Sequence, residues 1–175
     1  MRWLIRLTPR LGFLWLGLGA WGLVVASLVM TEWWNLNPCP LCIFQRVLYM
    51  LFGLVAIAGA LPRLSARGNK ILGVKLALIA LGGFLTAAYQ SLMQARPDLV
   101  IECSYTNPGP IERFVDWLAT ITQSSLFMPT GLCSSQEWVF LGLSMANWSL
   151  VCFLGLGIAA LWIAFRSIRR NGWAA

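Results

Sequence analysis

The sequence has no histidine. That removes the usual axial ligand of a membrane b-type haem. Charge is the next scarcity. Only 11% of the 175 residues are charged, against about 25% in an ordinary soluble domain. So few charges cannot cover a water-facing surface. Acids are scarcest, at 6 against 13 Lys and Arg, and none of them falls in the long apolar runs. What fills the chain instead is hydrophobic, 59% of all residues. These residues come in unbroken blocks, the mark of a membrane protein.

Four blocks stand out. Leu11 to Met30 carries no charge. Ile43 to Leu61 is apolar except for Gln45 and Arg46 at its start. Ile71 to Met93 holds one Lys, Lys75, and Trp138 to Phe165 holds no charge. A spanning helix needs about 20 residues. The pattern therefore predicts an all-α membrane protein of one domain, 1–175, with spans at about 11–30, 43–61, 71–93 and 139–165. The loops at about 31–42 and 94–138 would share one side. The first block follows Arg2, Arg6 and Arg10, as a signal peptide would. Its apolar core is too long and no A-x-A site follows, so it reads as a retained helix. Gly82-Gly83 and Gly155-Leu156-Gly157 suit close helix packing in lipid.

Charge predicts orientation. Arg2, Arg6, Arg10, Arg63, Arg67, Lys70, Arg166, Arg169 and Arg170 fall on one side of a four-span chain. Glu32, Asp98, Glu102, Glu112, Asp116 and Glu137 fall on the other. The positive-inside rule then places both termini in the cytoplasm. Lipid accounts for the basic balance, and no nucleic acid is needed.

Of the five cysteines, four fall in the outward loops: Cys39, Cys42, Cys103 and Cys133. Cys152 falls mid-span and reads as a packing residue. Four outward cysteines in an oxidising compartment suggest two disulfides. Bracing remains an open reading for Cys103 and Cys133, whose loop contains Asn107-Pro108-Gly109-Pro110. A bridge between Cys39 and Cys42 closes only a tiny ring, so it stabilises poorly; its value is reactivity. If a helix starts near Pro40, both sulfurs lie by free N–H groups and the positive dipole end, which favours thiolate. Arg46 follows Cys42 by one turn on the same face. It reads either as an Arg snorkelling to the interface or as a fixed cation beside a redox sulfur. Beside the C-x-x-C, the second pair, Cys103 and Cys133, lacks the close ligand spacing of zinc folds, so no metal is expected. In the long loop, Ile111, Phe114, Val115, Leu118 and Ile121 recur at helical spacing. They predict a short helix lying on the membrane surface or packed on protein.

At this point the pattern resembles the DsbB family, the bacterial inner-membrane disulfide-bond formation proteins. The residues that carry the resemblance are Pro38-Cys39-Pro40-Leu41-Cys42-Ile43-Phe44-Gln45-Arg46 and the segment from Cys133 to Trp148. The resemblance implies a four-helix transmembrane bundle with a horizontal interfacial helix in the second periplasmic loop. It implies reoxidation of a soluble DsbA-type oxidase, with electrons passed to membrane quinone, either ubiquinone or menaquinone. Cys103 and Cys133 would meet that partner, with Cys103 taking the mixed disulfide. Cys39 and Cys42 would serve the quinone, with Cys42 nearest the ring and Arg46 as the quinone-site cation. Gln45 stands where some members carry an acid. DsbI-type paralogues share the core and serve other partners. A vitamin K epoxide reductase-like protein would carry its C-x-x-C after the loop cysteines, not before them. A scaffold with static disulfides is the non-enzyme alternative.

Overall fold

The computed structural model describes residues 9–62, 64–96, 109–122, 125–131, 133 and 138–171, without the side chains of 125 and 167–171. Helix α1 is Pro9–Trp33, α2 Pro40–Ala60, α3 Ala66–Ala95, α4 Pro110–Thr122 and α5 Met145–Asn171. A 3-10 turn at Ser125–Phe127 and a hairpin, β1 (Val139–Phe140) with β2 (Leu143–Ser144), lie between α4 and α5. Four helices, α1, α2, α3 and α5, are long and apolar enough to cross a membrane. The protein is a multi-pass, four-helix membrane bundle. Its outer face fits lipid: Trp15, Leu18, Leu54, Leu78 and Trp162 are all exposed.

The bundle closes through small residues. Lipid tails offer no hydrophobic drive between helices, so close backbone approach and packing hold them together. Gly17 and Gly53 face each other between α1 and α2. Between α3 and α5, Gly73 meets Ala160 and Ala164, and Gly83 meets the Phe153 ring. Phe13, Phe52, Leu76 and Phe153 fill the centre, fully buried among alanines. At the far end, the Arg10 guanidinium donates to the carbonyls of Ala60 and Leu61, at 3.0 and 2.7 Å. A cation there satisfies the last carbonyls of α2.

In each glycine patch one glycine packs inward and another faces open space. A Cβ at Gly83 would collide with Phe153, whereas one at Gly82 meets nothing within 4 Å. Overpacking of this kind costs about 1–3 kcal/mol. Gly83→Ala is therefore expected to lower the melting temperature in detergent, while Gly82→Ala leaves it unchanged. Equal melting temperatures would refute the packing argument.

The start of the fourth span differs from the sequence expectation. Residues 139–144 form the hairpin, and the helix begins at Met145. The cause is the turn. Leu141 and Gly142 both have positive φ, 53° and 76°, the pattern of a two-residue type I′ hairpin turn. Ser144 then caps α5 by accepting from the Asn147 N–H at 3.4 Å. Trp148 pins the hairpin by donating to the Phe140 carbonyl at 3.1 Å. One result is that Cys152, at the middle of the span expected at 139–165, lies about two turns into α5.

Candidate functional site

The site forms where α2 begins. Cys39 is the N-cap of α2, with extended backbone (φ −84°, ψ 163°), and Pro40 follows in the first turn. Proline suits that turn because its missing N–H would be unpaired there anyway. The Cys39 sulfur accepts from the Cys42 N–H at 3.3 Å, as a capping oxygen would. This geometry brings the Cys39 and Cys42 sulfurs to 2.8 Å.

Cys133 comes to the same place from the other loop. The N–H groups of Thr130 and Gly131 both donate to the Pro38 carbonyl, at 3.0 and 3.2 Å. Gly131 has to be glycine for this: a Cβ would run into the Asn37 carbonyl oxygen. Cys133 then lies buried with Cys39, Leu41 and Met93, and Ile111 of α4 packs on them. Cys39 and Cys133 are hydrogen-bonded. That bond, then the one to Cys42 and burial, push the Cys39 thiol well above its ordinary range. For Cys39 these contacts oppose the thiolate that the helix start favours. Its sulfur receives one backbone N–H but faces other sulfurs. Cys103 lies outside the described residues.

Sequence reasoning missed Gln90. Its side-chain amide nitrogen on α3 donates to the Cys42 sulfur at 3.0 Å and the Cys39 sulfur at 3.4 Å. Its oxygen accepts from the Gln45 amide at 2.8 Å. With one end occupied, the amide cannot flip without losing bonds at both ends. Both glutamines are buried, at 3% and 5% exposed, where an unpaired amide would be costly. No local signal marks Gln90, because its partners are 45 to 51 residues away.

Arg46 is 6% exposed, so its head does not reach water as a snorkelling Arg would. Its guanidinium donates to the Thr31 hydroxyl and, at 3.4 Å, to the Ser27 carbonyl on α1. Cys42, Gln45, Arg46 and Gln90 line one cavity of about 250 Å³ together with Leu23, Ser27, Met30, Tyr49, Trp148 and Cys152. Tyr49 forms part of the wall: its hydroxyl donates to the Ser149 carbonyl at 3.1 Å and its ring stacks on Phe153. Rings of Trp34, Trp138, Phe140 and Trp148 run in a chain from the end of α1 to α5, with centroids 5.7 to 6.4 Å apart.

Helix α4 packs its Val115 and Ile111 inward and sets Phe114 edge-on against Phe44, at 5.9 Å. Trp117 and Ile121 remain exposed.

A membrane bundle with a C-x-x-C heading one span, its Cys39 buried, and a third cysteine delivered to it by a distant loop, has the build of a membrane thiol–disulfide oxidoreductase. Comparison with known proteins agrees. The model of the family "Disulfide bond formation protein DsbB" matches residues 9–163. The chain is 45% identical over 161 residues to disulfide bond formation protein B of Dechloromonas aromatica, covering 91% of this chain and 94% of the relative. It is 37% identical over 180 residues to the protein of the same name from Xanthomonas euvesicatoria, covering 97% and 96%. The Azoarcus protein of that name is 36% identical over 143 residues, covering 82% and 84%. The chain belongs to the DsbB family, and its function is disulfide bond formation.

Proposed function

We propose that the protein reoxidises a periplasmic thioredoxin-fold oxidase of the DsbA type and passes the electrons to membrane quinone, ubiquinone or menaquinone. The observation that carries this reading is the cavity shared by Cys42 and Arg46. Its walls are apolar, as a quinone ring requires. Arg46 places N–H donors among them, as ring carbonyl oxygens require. A bound quinone supplies a lipid-soluble acceptor for two electrons. Cys42 faces that cavity, and Cys39 faces Cys133, so the C-x-x-C bridges the two ends of a relay.

In this reading Cys103 accepts the partner's thiolate in a mixed disulfide, and the partner leaves oxidised. Cys133, now a thiol, attacks the Cys39–Cys42 disulfide at Cys39 and releases Cys42 beside the cavity; the Cys103 thiol then attacks Cys133, which re-forms Cys103–Cys133 and frees Cys39. The Cys39 and Cys42 thiols then give two electrons and two protons to the acceptor and close again as a disulfide. Over a turnover the partner loses two electrons and two protons and quinone becomes quinol. The bond to Cys133, then the bond to Cys42 and burial, raise the Cys39 thiol and so favour its neutral form when it is reduced. The Gln90 amide steadies charge on Cys42. A periplasmic placement of this end, with both termini cytoplasmic, follows from the basic residues at the other end. Exposed Trp117 and Ile121 suit α4 to the membrane surface.

The test combines purified protein in detergent, a reduced thioredoxin-like partner and a soluble quinone. Quinol should form as the partner oxidises, and a partner that stays reduced would end the reading. Orientation is checked separately: reporters fused after Leu64 and after Arg170 should report cytoplasm, and one at Asn107 periplasm.

Gln90→Leu removes the N–H donors and leaves the Gln45 amide without its acceptor. A hydrogen bond to a charged group is worth about 1.5–3 kcal/mol, so oxidation of Cys39–Cys42 by quinone should slow by about tenfold or more. Capture of the partner by Cys103 should be unaffected. An unchanged quinone step would reduce Gln90 to packing.

A further inference from the structure

One polar group in the cavity wall is left over. Among the described residues, the hydroxyls of Ser27 and Ser91 alone are buried side-chain N or O atoms without a hydrogen-bond partner. A buried, unpaired hydroxyl costs about 1–3 kcal/mol, so each invites a reason. Ser91 does not line the cavity. Ser27 does, beside Cys42 and Arg46.

The neighbouring hydroxyl in the same helix turn is fully used. Thr31 donates to the Ser27 carbonyl at 2.8 Å and accepts from the Arg46 guanidinium. That back-bond to the carbonyl one turn earlier is the common habit of Ser and Thr in membrane helices. Ser27 does not follow it. Its own carbonyl lies 3.4 Å from the Arg46 Nη2, so Ser27 and the cation belong to one corner of the cavity. Resting on the quinone reading above, we propose that Ser27 is the second hydrogen-bond donor to the acceptor's ring oxygen, working beside Arg46. Arg46 supplies charge, and Thr31 holds its fork against α1. Ser27 adds a neutral donor that has no other use in this corner, and the ring oxygen relieves its burial.

The test uses the full chain in detergent with decylubiquinone as the probe. Trp148 and Trp138 line the cavity, so quinone binding can be followed by tryptophan quenching without turnover. Ser27→Ala should raise the dissociation constant about three- to tenfold, the weight of one neutral hydrogen bond. KM for decylubiquinone should rise by the same factor, with kcat at saturation and the reaction with the soluble partner unchanged. The melting temperature without quinone should not fall, because the variant loses an unpaired hydroxyl. Ser27→Thr should keep wild-type affinity, and Ser91→Ala should keep it too. Wild-type binding by Ser27→Ala overturns the inference, as does an equal loss in Ser91→Ala. A wild type that decylubiquinone fails to quench brings down the quinone reading of the cavity itself. A quenched wild type with an unaltered Ser27→Ala sinks only the role given to Ser27.

Discussion

Cys42→Ala is expected to abolish quinone reduction, with turnover falling more than about a thousandfold, as deletion of a covalent catalytic group commonly does. Of the C-x-x-C pair, Cys42 lines the cavity, and Cys39 is the one turned toward Cys133. Losing Cys42 leaves no sulfur paired with Cys39 that can hand electrons to an acceptor in that space; Cys152 also lines the cavity but has no part in the relay. The companion variant separates the two ends of the relay. Cys103→Ala should leave Cys39–Cys42 open to oxidation by quinone yet unable to draw electrons from the soluble partner. Thiol trapping after a quinone pulse distinguishes them: the pair should be found oxidised in Cys103→Ala. Wild-type turnover by either variant would break the proposed order.

Arg46→Ala should weaken quinone affinity or rate by about ten- to a hundredfold. The figure follows from a lost charge-assisted hydrogen bond of about 1.5–3 kcal/mol. The argument rests on burial. A guanidinium at 6% exposure, held by α1 acceptors and lining a cavity with Cys42, is placed where negative charge builds on a ring oxygen or on sulfur. Arg46→Lys keeps the charge and loses the planar fork, so it should show a milder defect, chiefly in KM. Stopped-flow measurement of each half-reaction checks both variants. The exchange between Cys103–Cys133 and the partner should proceed at its normal rate. If Arg46→Ala slows both halves equally, the residue holds the fold and is no part of the acceptor site.

Much of this was legible from local pattern. Long uncharged runs revealed the spans, because lipid demands them. Pro40 after Cys39 marked the start of α2, because proline tolerates only a helix's first turn. The spacing from Cys42 to Arg46 put both on one face, and both line the same cavity. The periodic run from Ile111 to Ile121 marked α4. What stayed hidden depends on contacts across the chain. Gln90 meets Cys42 across 48 residues, and an isolated polar residue in an apolar run does not name its partner. Arg46 meets Thr31 across 15 residues, and nothing in the local sequence names that pair. The hairpin at 139–144 lies inside an uncharged apolar run, so its strands carry the same hydrophobic signal as the helix that follows; Leu141-Gly142 and the capping Ser144 are the local features that set it apart.

The two backbone bonds from Thr130 and Gly131 to the Pro38 carbonyl set the kinetic order of the proposed relay. They fasten the strand bearing Cys133 to the loop bearing Cys39, so the sulfurs meet within one molecule. Tethering alone gives effective concentrations in the millimolar range, and fixed orientation raises them much further. The handover between pairs is then first-order, paced by small movements of one loop. Dilution, or a sparse population in the membrane, would slow the meeting with the soluble partner and with quinone. It would leave the step between Cys133 and Cys39 as fast as before.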